Sequence, residues 1–403
     1  MSVLGWITFV IALLISVMIH EWGHYITAKK FGMKVTEFFV GFGSRIWSFR
    51  RGETEYGLKA LPLGGFCDIA GMTALDEVEP HEVDRAMYRQ STRKRLVVMC
   101  GGIAMNFLLG FVLIVILAVG WGLPHLDGPP ETQIWPQCVA GEQSDGSTIP
   151  CSGPGPAERA GLQRGDRVVA INGAPVDTWN ALQSKTQDQT RPVVYTVRRD
   201  DRTVDIPVQP EPVTVYPKDK KTGKVVGGPT VVSKVGVTQD YYPPDKYNVL
   251  TALPASVGFT GQMFGKTFEA LAQMPAKVSG LWHAVTGGER SADTPVSVYG
   301  ASRIGGETAE RGLWNMFILV LASLNFFLGA FNILPLLPLD GGHIAVVLYE
   351  KVRNVIRGRR GLSPGGPVDY LKLLPATYVV VVIGGAYMIL TLVADIVNPI
   401  RLW

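Results

Sequence analysis

The HExxH motif at residues 20–24 follows directly on an almost uninterrupted apolar run over residues 3–19. If the run continues as one helix, His20 and His24 lie one turn apart on one face, where two imidazoles can hold a single zinc ion. Glu21 then lies beside the metal as a candidate general base. Ionisable side chains in an apolar helix are costly and are by default functional candidates. The motif therefore predicts a zinc site on the first helix.

The composition is that of a membrane protein with a sizeable soluble part. The chain has 403 residues, of which 47% are hydrophobic and 18% charged, and its mean hydropathy is +0.20. The net charge is only +4 and no dense basic block is present, so nucleic acid is not a predicted partner. The predicted partner is the lipid bilayer. Four stretches are apolar and long enough to cross it, which takes about 20 residues; they are 4–28, 96–123, 313–334 and 373–396.

The first apolar stretch has no basic region before it, so we interpret it as a retained span and not as a signal peptide. Lysine and arginine then indicate the orientation of the chain. Residues 27–95 and 335–372 together carry 18 of them in 107 residues, whereas residues 121–312 carry 19 in 192. Basic residues favour the cytoplasmic side, so we expect both termini and the long middle segment outside the cytoplasm.

The four cysteines divide between the two sides of the membrane. Cys138 and Cys151 fall in the outer segment, where an oxidising compartment favours a disulfide across the short loop between them. Cys67 and Cys100 fall on the inner side or in the membrane, and we interpret them as free thiols that serve as small buried hydrophobic residues.

The segment between the first two spans is rich in glycine and alternating apolar residues. Residues 53–66 predict one or two strands, which we place as a hairpin at the membrane face lining a protein-enclosed cavity. The charged residues 76–94 predict a surface helix. The second span opens with Gly101 and Gly102, which permit close approach of a neighbouring helix. Asn106 could reach the site or bond a neighbouring helix, and we favour the second interpretation.

The outer segment becomes soluble in character from residue 153. Residues 155–176 predict a short helix, a strand and an Asn-Gly hairpin, a second helix follows at 177–185, and residues 192–208 predict two strands. This order is similar to a bacterial PDZ domain, a module that can add a peptide strand to its edge. A steric filter that binds no peptide is the alternative. Residues 210–244 are interpreted as a linker, and 249–285 as an amphipathic helix on the outer membrane surface.

The third span ends in a sequence that can bring a carboxylate to the histidines. Pro335 and Pro338 break its helix, and Asp340 is followed by two glycines that let the backbone approach a neighbour closely. A carboxylate at this depth needs a partner, and zinc held by two histidines needs a third protein ligand. Asp340 is therefore the candidate third ligand.

Four features occur together in one order: HExxH, the stretch at 62–65, a PDZ-like segment between spans two and three, and residues 332–342. In these features the chain resembles the site-2 proteases, which are intramembrane zinc metalloproteases of the M50 family. It is most similar to their four-span bacterial branch, in particular to actinobacterial members with one PDZ domain. The family usually has Gly-Pro at the start of span two, where this chain has Gly101-Gly102.

The resemblance implies one Zn²⁺ per chain, held by His20, His24 and Asp340, with Glu21 as the general base. It also implies that residues 55–66 form a membrane-embedded β-loop that holds the substrate as an added strand. Asn325 and Asn332 match polar positions that help to hold an unwound substrate near the metal. The candidate substrate-binding residues are thus Asn325, Asn332, Leu61, Gly64 and Gly65.

The implied activity is cleavage of the transmembrane segments of single-span proteins, such as anti-sigma factors, in regulated intramembrane proteolysis. A site-1 protease would trim these substrates first, and the location would be a bacterial plasma membrane. Two other function classes are open. A non-catalytic scaffold that presents a PDZ domain would leave the buried charges unexplained, and an intramembrane aspartyl protease would need a second aspartate near Asp340, whereas Asp395 lies near the end of span four.

The predicted fold is an α-helical polytopic membrane protein with four transmembrane helices, a membrane-associated β-hairpin and an inserted extracytoplasmic α+β PDZ domain. In chain order we expect a helix with HExxH (1–30), a cytoplasmic and membrane-reentrant β region (31–95), a second span (96–123), the PDZ domain (124–210), a linker with a membrane-surface segment (211–312), a third span (313–345), a cytoplasmic loop (346–372) and a fourth span with the C-terminus (373–403).

Overall fold

The computed structural model describes residues 3–73, 76–126, 132–145, 147–186, 189–217, 225–288, 290–291 and 293–400. The chain forms two compact units, Met1–Leu123 with Asp245–Trp403, and Pro124–Pro244. The helices are α1 (Val3–Lys30), α2 (Thr92–Gly120), α3 (Pro156–Arg159), α4 (Trp179–Thr186), α5 (Val249–Gln273), α6 (Val278–Val285), α7 (Val298–Glu310), α8 (Trp314–Ile333), α9 (Asp340–Arg359) and α10 (Leu374–Val397). The strands are β1 (Val35–Arg51), β2 (Thr54–Ile69), β3 (Ile134–Pro136), β4 (Arg167–Ile171), β5 (Ala174–Pro175), β6 (Val193–Arg199), β7 (Arg202–Val208), β8 (Glu211–Val215), β9 (Thr230–Lys234) and β10 (Val237–Gln239).

Four of the described helices are long and apolar enough to cross a membrane, namely α1, α2, α8 and α10. They coincide with the four predicted spans, which are thereby confirmed as helices. The loop expected at 346–372 is helical in its first part, because α9 continues to Arg359. The predicted segment at 249–285 forms two helices, α5 and α6, with Pro275 in the turn between them.

Glycine brings the first three spans into close contact. A Cβ atom added to Gly23 on α1 would lie 2.3 Å from the carbonyl oxygen of Gly101 on α2. Gly110 on α2 lies against the ring of Phe326 on α8, since a Cβ there would approach the ring to 2.7 Å. These contacts bring helix backbones together as small residues do in membrane proteins generally.

The fourth span is held differently. α10 packs mainly on α6 and α7, and its Asp395 forms an ion pair with Arg290 at 2.7 Å, with both side chains only 2% exposed. Asp395 also accepts a hydrogen bond from the backbone N–H of Ser297 at 2.6 Å. Arg290 donates further to the carbonyl oxygens of Pro295 and Asn398. A fully hydrogen-bonded ion pair therefore joins this span to the segment that precedes α7.

The predicted strands after the first span are present as β1 and β2, but their pairing is more complex than that of a hairpin. Residues 37–40 pair with 65–68 on one side and with 55–58 on the other, and 55–58 pair in turn with 47–50. The inner stretch 55–58 thus has no free edge, so it cannot hold an added substrate strand as expected for 55–66. The free edge closest in sequence to that expectation is 65–69.

The tip of β1 and β2 is tied to α1 by charge. Glu53 accepts hydrogen bonds from Lys29 at 2.5 Å and from Arg85 at 2.7 Å. The Arg85 guanidinium, followed by Lys29, lowers the pKa of the Glu53 carboxyl to about 2.

The surface helix predicted at 76–94 is wrong. The structure has two single turns of 3-10 helix there, Val83–Arg85 and Met87–Arg89, with Ala86 in an extended conformation between them. The backbone N–H groups of Met87 and Tyr88 donate to the carbonyl oxygens of Ala70 and Gly71. These tertiary hydrogen bonds replace the helical ones that the charge pattern favoured.

The second unit, Pro124–Pro244, has its own hydrophobic core between an antiparallel sheet in the order β5-β4-β6-β7 and the short helices α3 and α4. Asn172 and Gly173 have positive φ angles of 48° and 78°, as the predicted Asn-Gly hairpin requires. A disulfide joins Cys138 to Cys151, with their Cα atoms 5.9 Å apart.

The linker predicted at 210–244 is wrong for its described residues. β8 pairs with β9, and β10 pairs with β3 near the start of the unit. The unit therefore ends at Pro244 and not near residue 210. Residues 218–224 of the predicted linker lie outside the described residues.

Candidate metal centre

Three side chains that are far apart in the chain meet at one point inside the unit formed by Met1–Leu123 and Asp245–Trp403, which we call the membrane unit. His20 and His24 lie on α1, and Asp340 is the first residue of α9. Asp340 Oδ2 is 3.2 Å from His20 Nε2 and 3.3 Å from His24 Nε2. The two Nε2 atoms are 3.2 Å from each other. The three atoms form a nearly equilateral triangle.

The triangle has the dimensions of three corners of a zinc tetrahedron. Zn–N and Zn–O bonds of about 2.0 to 2.1 Å at tetrahedral angles separate the ligand atoms by about 3.3 Å. Asp340 Oδ2 is buried and has no hydrogen-bond partner among the described residues, a condition that a bound cation relieves. His20 and His24 are 8% and 6% exposed. The donor set therefore fits one zinc ion.

A second acidic and histidine cluster, Glu79, His81 and Glu82, is a weaker metal candidate within the described residues. Glu79 and His81 are exposed, and Glu82 is already paired with Lys34 at 2.5 Å. We therefore assign the metal to the buried triangle.

The sequence after α8 explains how Asp340 reaches the histidines. α8 ends at Ile333, the Leu337–Pro338 peptide bond is cis, and α9 begins at Asp340. A Cβ atom on Gly341 would lie 2.3 Å from the carbonyl oxygens of Ile333 and Leu334. Glycine at this position is thus required for α9 to start against the end of α8.

The opposite side of the histidines is lined by α2. His24 Nδ1 donates a hydrogen bond to the carbonyl oxygen of Val98 at 2.8 Å. A Cβ atom on Gly102 would lie 2.3 Å from His24 Nε2. Of the two roles considered for Asn106, the structure shows the one that was not favoured, because its side-chain amide lies 3.1 Å from His20 Nδ1. One signal in the sequence pointed to it: Asn106 is one turn beyond Gly102, on the same face of the helix.

Glu21 lies between the metal site and the sheet. It is half-buried, and its carboxylate lies near the backbone N–H of Cys67 in β2. Cys67 belongs to the free-edge stretch 65–69. The candidate base therefore lies beside this edge of the sheet. Cys100, interpreted from the sequence as a buried residue, is exposed.

The other predicted site residues occupy different positions. Asn325 is completely buried and donates to Ser16 Oγ at 3.1 Å and to the Leu321 carbonyl at 2.8 Å, so the structure places it at a helix contact. Asn332 is half-buried at the end of α8. The remaining three are in β2. Leu61 is 53% exposed, Gly64 has a φ of +149°, and a Cβ atom on Gly65 would lie 2.4 Å from Met18 Sδ on α1.

Comparison with known proteins agrees with this geometry. The profile of Peptidase family M50 matches residues 8–364. The chain belongs to peptidase family M50. Zinc metalloprotease Rip1 from Mycobacterium tuberculosis and from Mycobacterium bovis is 47% identical to it over 404 residues, covering 100% of both chains. Zinc metalloprotease Rip1 from Mycolicibacterium smegmatis is 46% identical over 406 residues, covering 99% of each.

Membership in this family makes the chain a zinc metalloendopeptidase of the site-2 protease type. The family's metal is zinc, and the buried triangle of His20, His24 and Asp340 is where this chain can hold it. Its four apolar helices are those of a multi-pass membrane protein.

Proposed function

We propose that this M50 peptidase holds zinc with His20, His24 and Asp340, and cuts the transmembrane segments of single-span proteins with Glu21 as general base. The observation that carries the proposal is the buried triangle of ligand atoms with edges of 3.2 to 3.3 Å. When bound, zinc supplies Lewis-acid activation of water and of the scissile carbonyl.

Glu21 moves the proton in this proposal. Its carboxylate accepts the proton that the attacking water loses, and it then returns the proton to the leaving nitrogen. The carboxylate lies near the backbone N–H of Cys67. Because Cys67 lies on the sheet edge, the proposed base would be close to a strand added there.

The sheet edge solves a problem that the substrate brings. A helix in a membrane hides its carbonyl groups in its own hydrogen bonds, and each buried group left unpaired on unwinding costs roughly several kcal/mol. The edge at 65–69 can accept the unwound segment as an added strand. Leu61, Gly64 and Gly65 lead into this edge, and Asn325 and Asn332 are proposed to hold the unwound chain, as the family resemblance implies.

The unit Pro124–Pro244 is proposed to be a PDZ domain. A cleft of about 500 Å³ runs between α4 and residues 232–238, and PDZ domains hold an added peptide strand in a groove beside a helix. We propose that this unit excludes substrates with bulky outer domains, so that a site-1 protease must trim them first. Single-span regulators such as anti-sigma factors, cut in regulated intramembrane proteolysis, are the proposed substrate class.

The orientation with both termini outside is proposed from the excess of lysine and arginine in residues 27–95 and 335–372. A reporter enzyme that is active only outside the cytoplasm, fused after residue 403, tests it. Activity of the fusion supports this orientation, and an inactive but intact fusion would reverse it.

The decisive experiment compares wild type with Glu21→Gln in the same membranes on a tagged single-span substrate whose outer domain has been removed. We expect cleavage by the wild type alone, with zinc bound by both proteins. Cleavage by both would move the base away from Glu21. Absence of zinc from the purified wild type would overturn the ligand assignment.

A further inference from the structure

The imidazole of His20 has a defined contact on each side. Its Nε2 atom belongs to the ligand triangle, 3.2 Å from Asp340 Oδ2. Its Nδ1 atom lies 3.1 Å from the side-chain amide of Asn106 on α2. A neutral imidazole carries one hydrogen, and a nitrogen that binds a metal must present its lone pair. Zinc binding through Nε2 therefore requires the hydrogen on Nδ1, and an Nδ1–H group needs an acceptor.

Asn106 can provide this acceptor in one of its two amide orientations. In the structure Nδ2 faces His20, and Oδ1 is buried without a hydrogen-bond partner among the described residues. The orientation of an amide is fixed by its hydrogen-bond network, because its oxygen and nitrogen have nearly the same shape. Turning the amide places Oδ1 against Nδ1, where it accepts a hydrogen bond from the imidazole.

His24 shows the same arrangement with a backbone acceptor. Its Nδ1 donates to the carbonyl oxygen of Val98 at 2.8 Å, which leaves Nε2 for the metal. Val98, Gly102 and Asn106 follow each other at intervals of four residues, so they form one stripe along α2. Gly102, midway in the stripe, has no side chain where the two imidazoles lie. One face of α2 therefore matches both histidines of α1.

We propose that Asn106 is a positioning residue that accepts a hydrogen bond from His20 Nδ1 and so presents the Nε2 lone pair to zinc. The proposal rests on the assignment of His20 as a ligand made above. Asn106 is 1% exposed, so water is excluded from the place of its amide. Removing such a partner of a metal-binding histidine lowers metal affinity by about 10 to 100-fold.

The test measures zinc affinity of the full chain, purified in detergent and freed of metal, by titration against a chromophoric chelator. The variants are Asn106→Leu, which has similar size and no acceptor, and Asn106→Asp, whose carboxylate accepts but does not donate. Thr391→Val on α10 is the matched control, because its buried hydroxyl donates to Met388 and not to a histidine. The visible absorption of Co²⁺ bound in place of zinc reports the ligand geometry.

We expect Asn106→Leu to lose zinc affinity by about 10 to 100-fold. Asn106→Asp should stay within a few-fold of wild type with an unchanged cobalt spectrum, and Thr391→Val should match wild type. Asn106→Leu binding as tightly as wild type would overturn the proposal. If Asn106→Asp folded but lost as much zinc affinity as Asn106→Leu, the proposal would also be overturned. That result would mean that the Asn106 amide donates to His20 Nδ1 and does not accept from it. If Asn106→Leu does not fold, the zinc affinity of Asn106→Asp alone tests the proposal. Wild type that binds no zinc would instead refute the ligand assignment itself.

Discussion

Two helix contacts of the membrane unit show opposite ways of joining spans. α1 meets α2 through glycine backbone, with Gly23 against Gly101. α10 is joined to its neighbours by the buried ion pair of Arg290 and Asp395. In the most apolar 18-residue stretch of α2, 39% of the residues are buried, whereas in that of α10 only 17% are buried. Packing along the helices therefore holds α1 to α2, whereas a buried ion pair near the end of α10 holds the fourth span.

The difference follows from what each contact must position. The histidines of α1 and their partners on α2 must match within a fraction of an ångström, since ligand geometry depends on both. Glycine contacts bring two helix backbones into direct van der Waals contact and so fix the distance between them. The ion pair fixes the position of α10 only near Asp395. The position of the rest of this helix depends on its other contacts. We infer that the metal centre tolerates changes in α10 far better than changes in α2.

The largest expected effect concerns the ion pair. Arg290→Met leaves the Asp395 carboxylate buried without its charge partner, so it should destabilise the protein by about 3 to 5 kcal/mol. Thermal unfolding in detergent measures the loss. The double variant Arg290→Met with Asp395→Leu should regain most of it, because no unpaired charge remains. A double variant as unstable as the single one would show that the anchor acts through shape and not through charge.

The next effect separates the two contacts directly. Gly102→Ala places a Cβ atom 2.3 Å from His24 Nε2, so the imidazole must move. Displacement of a catalytic group by about 1 Å costs about 100-fold in rate. We expect that loss in cleavage of the trimmed substrate, together with weaker zinc binding.

The matched control is Gly384→Ala on α10, where a Cβ atom would meet no atom of the described residues within 4 Å. Alanine is favoured over glycine in a helix by about 1 kcal/mol, so this variant should be equally active and slightly more stable. If the two variants lost activity alike, the proposed contrast between α2 and α10 would be wrong.

The smallest effect comes from a partly exposed ion pair. Glu53 is 29% exposed where it meets Lys29 and Arg85, and such pairs contribute about 0 to 1 kcal/mol. Because the folded state lowers the pKa of Glu53 from 4.5 to about 2, its contribution is present above pH 4.5 and is lost as the pH falls toward 2.

Melting midpoints of wild type and Glu53→Gln, measured at pH 7 and at pH 3, test this. The difference between the two proteins should be small at pH 7 and smaller at pH 3. A difference that grew toward low pH would have the wrong sign for a lowered pKa.

Sequence reasoning reached the parts of the molecule that local patterns determine. Hydropathy placed the four spans, and ionisable residues in apolar surroundings marked His20, His24 and Asp340, which the structure brings together. Burial makes such residues conspicuous, because an unpaired charge in a membrane needs an explanation. The short spacing between Cys138 and Cys151 predicted the disulfide that the structure contains.

The parts it missed depend on contacts between distant residues. β10 is a strand because it pairs with β3, about a hundred residues earlier. Met87 and Tyr88 leave the helical conformation for hydrogen bonds to Ala70 and Gly71. The sequence favours helix packing for Asn106, because it does not show which side chain of α1 this residue meets. In these three cases the sequence does not show the partner, although it shows the properties of the residue itself.

The ligand triangle has a further consequence for how the chain stays folded. Residues 20 and 340 are far apart in the sequence, so a zinc ion held between them as proposed would close a loop that contains most of the chain. A crosslink of this kind removes entropy from the unfolded chain, and the free energy of metal binding adds to that of folding. The metal would then also be a reversible crosslink that stabilises the fold, and the supply of zinc in the cell would help to set the lifetime of the enzyme.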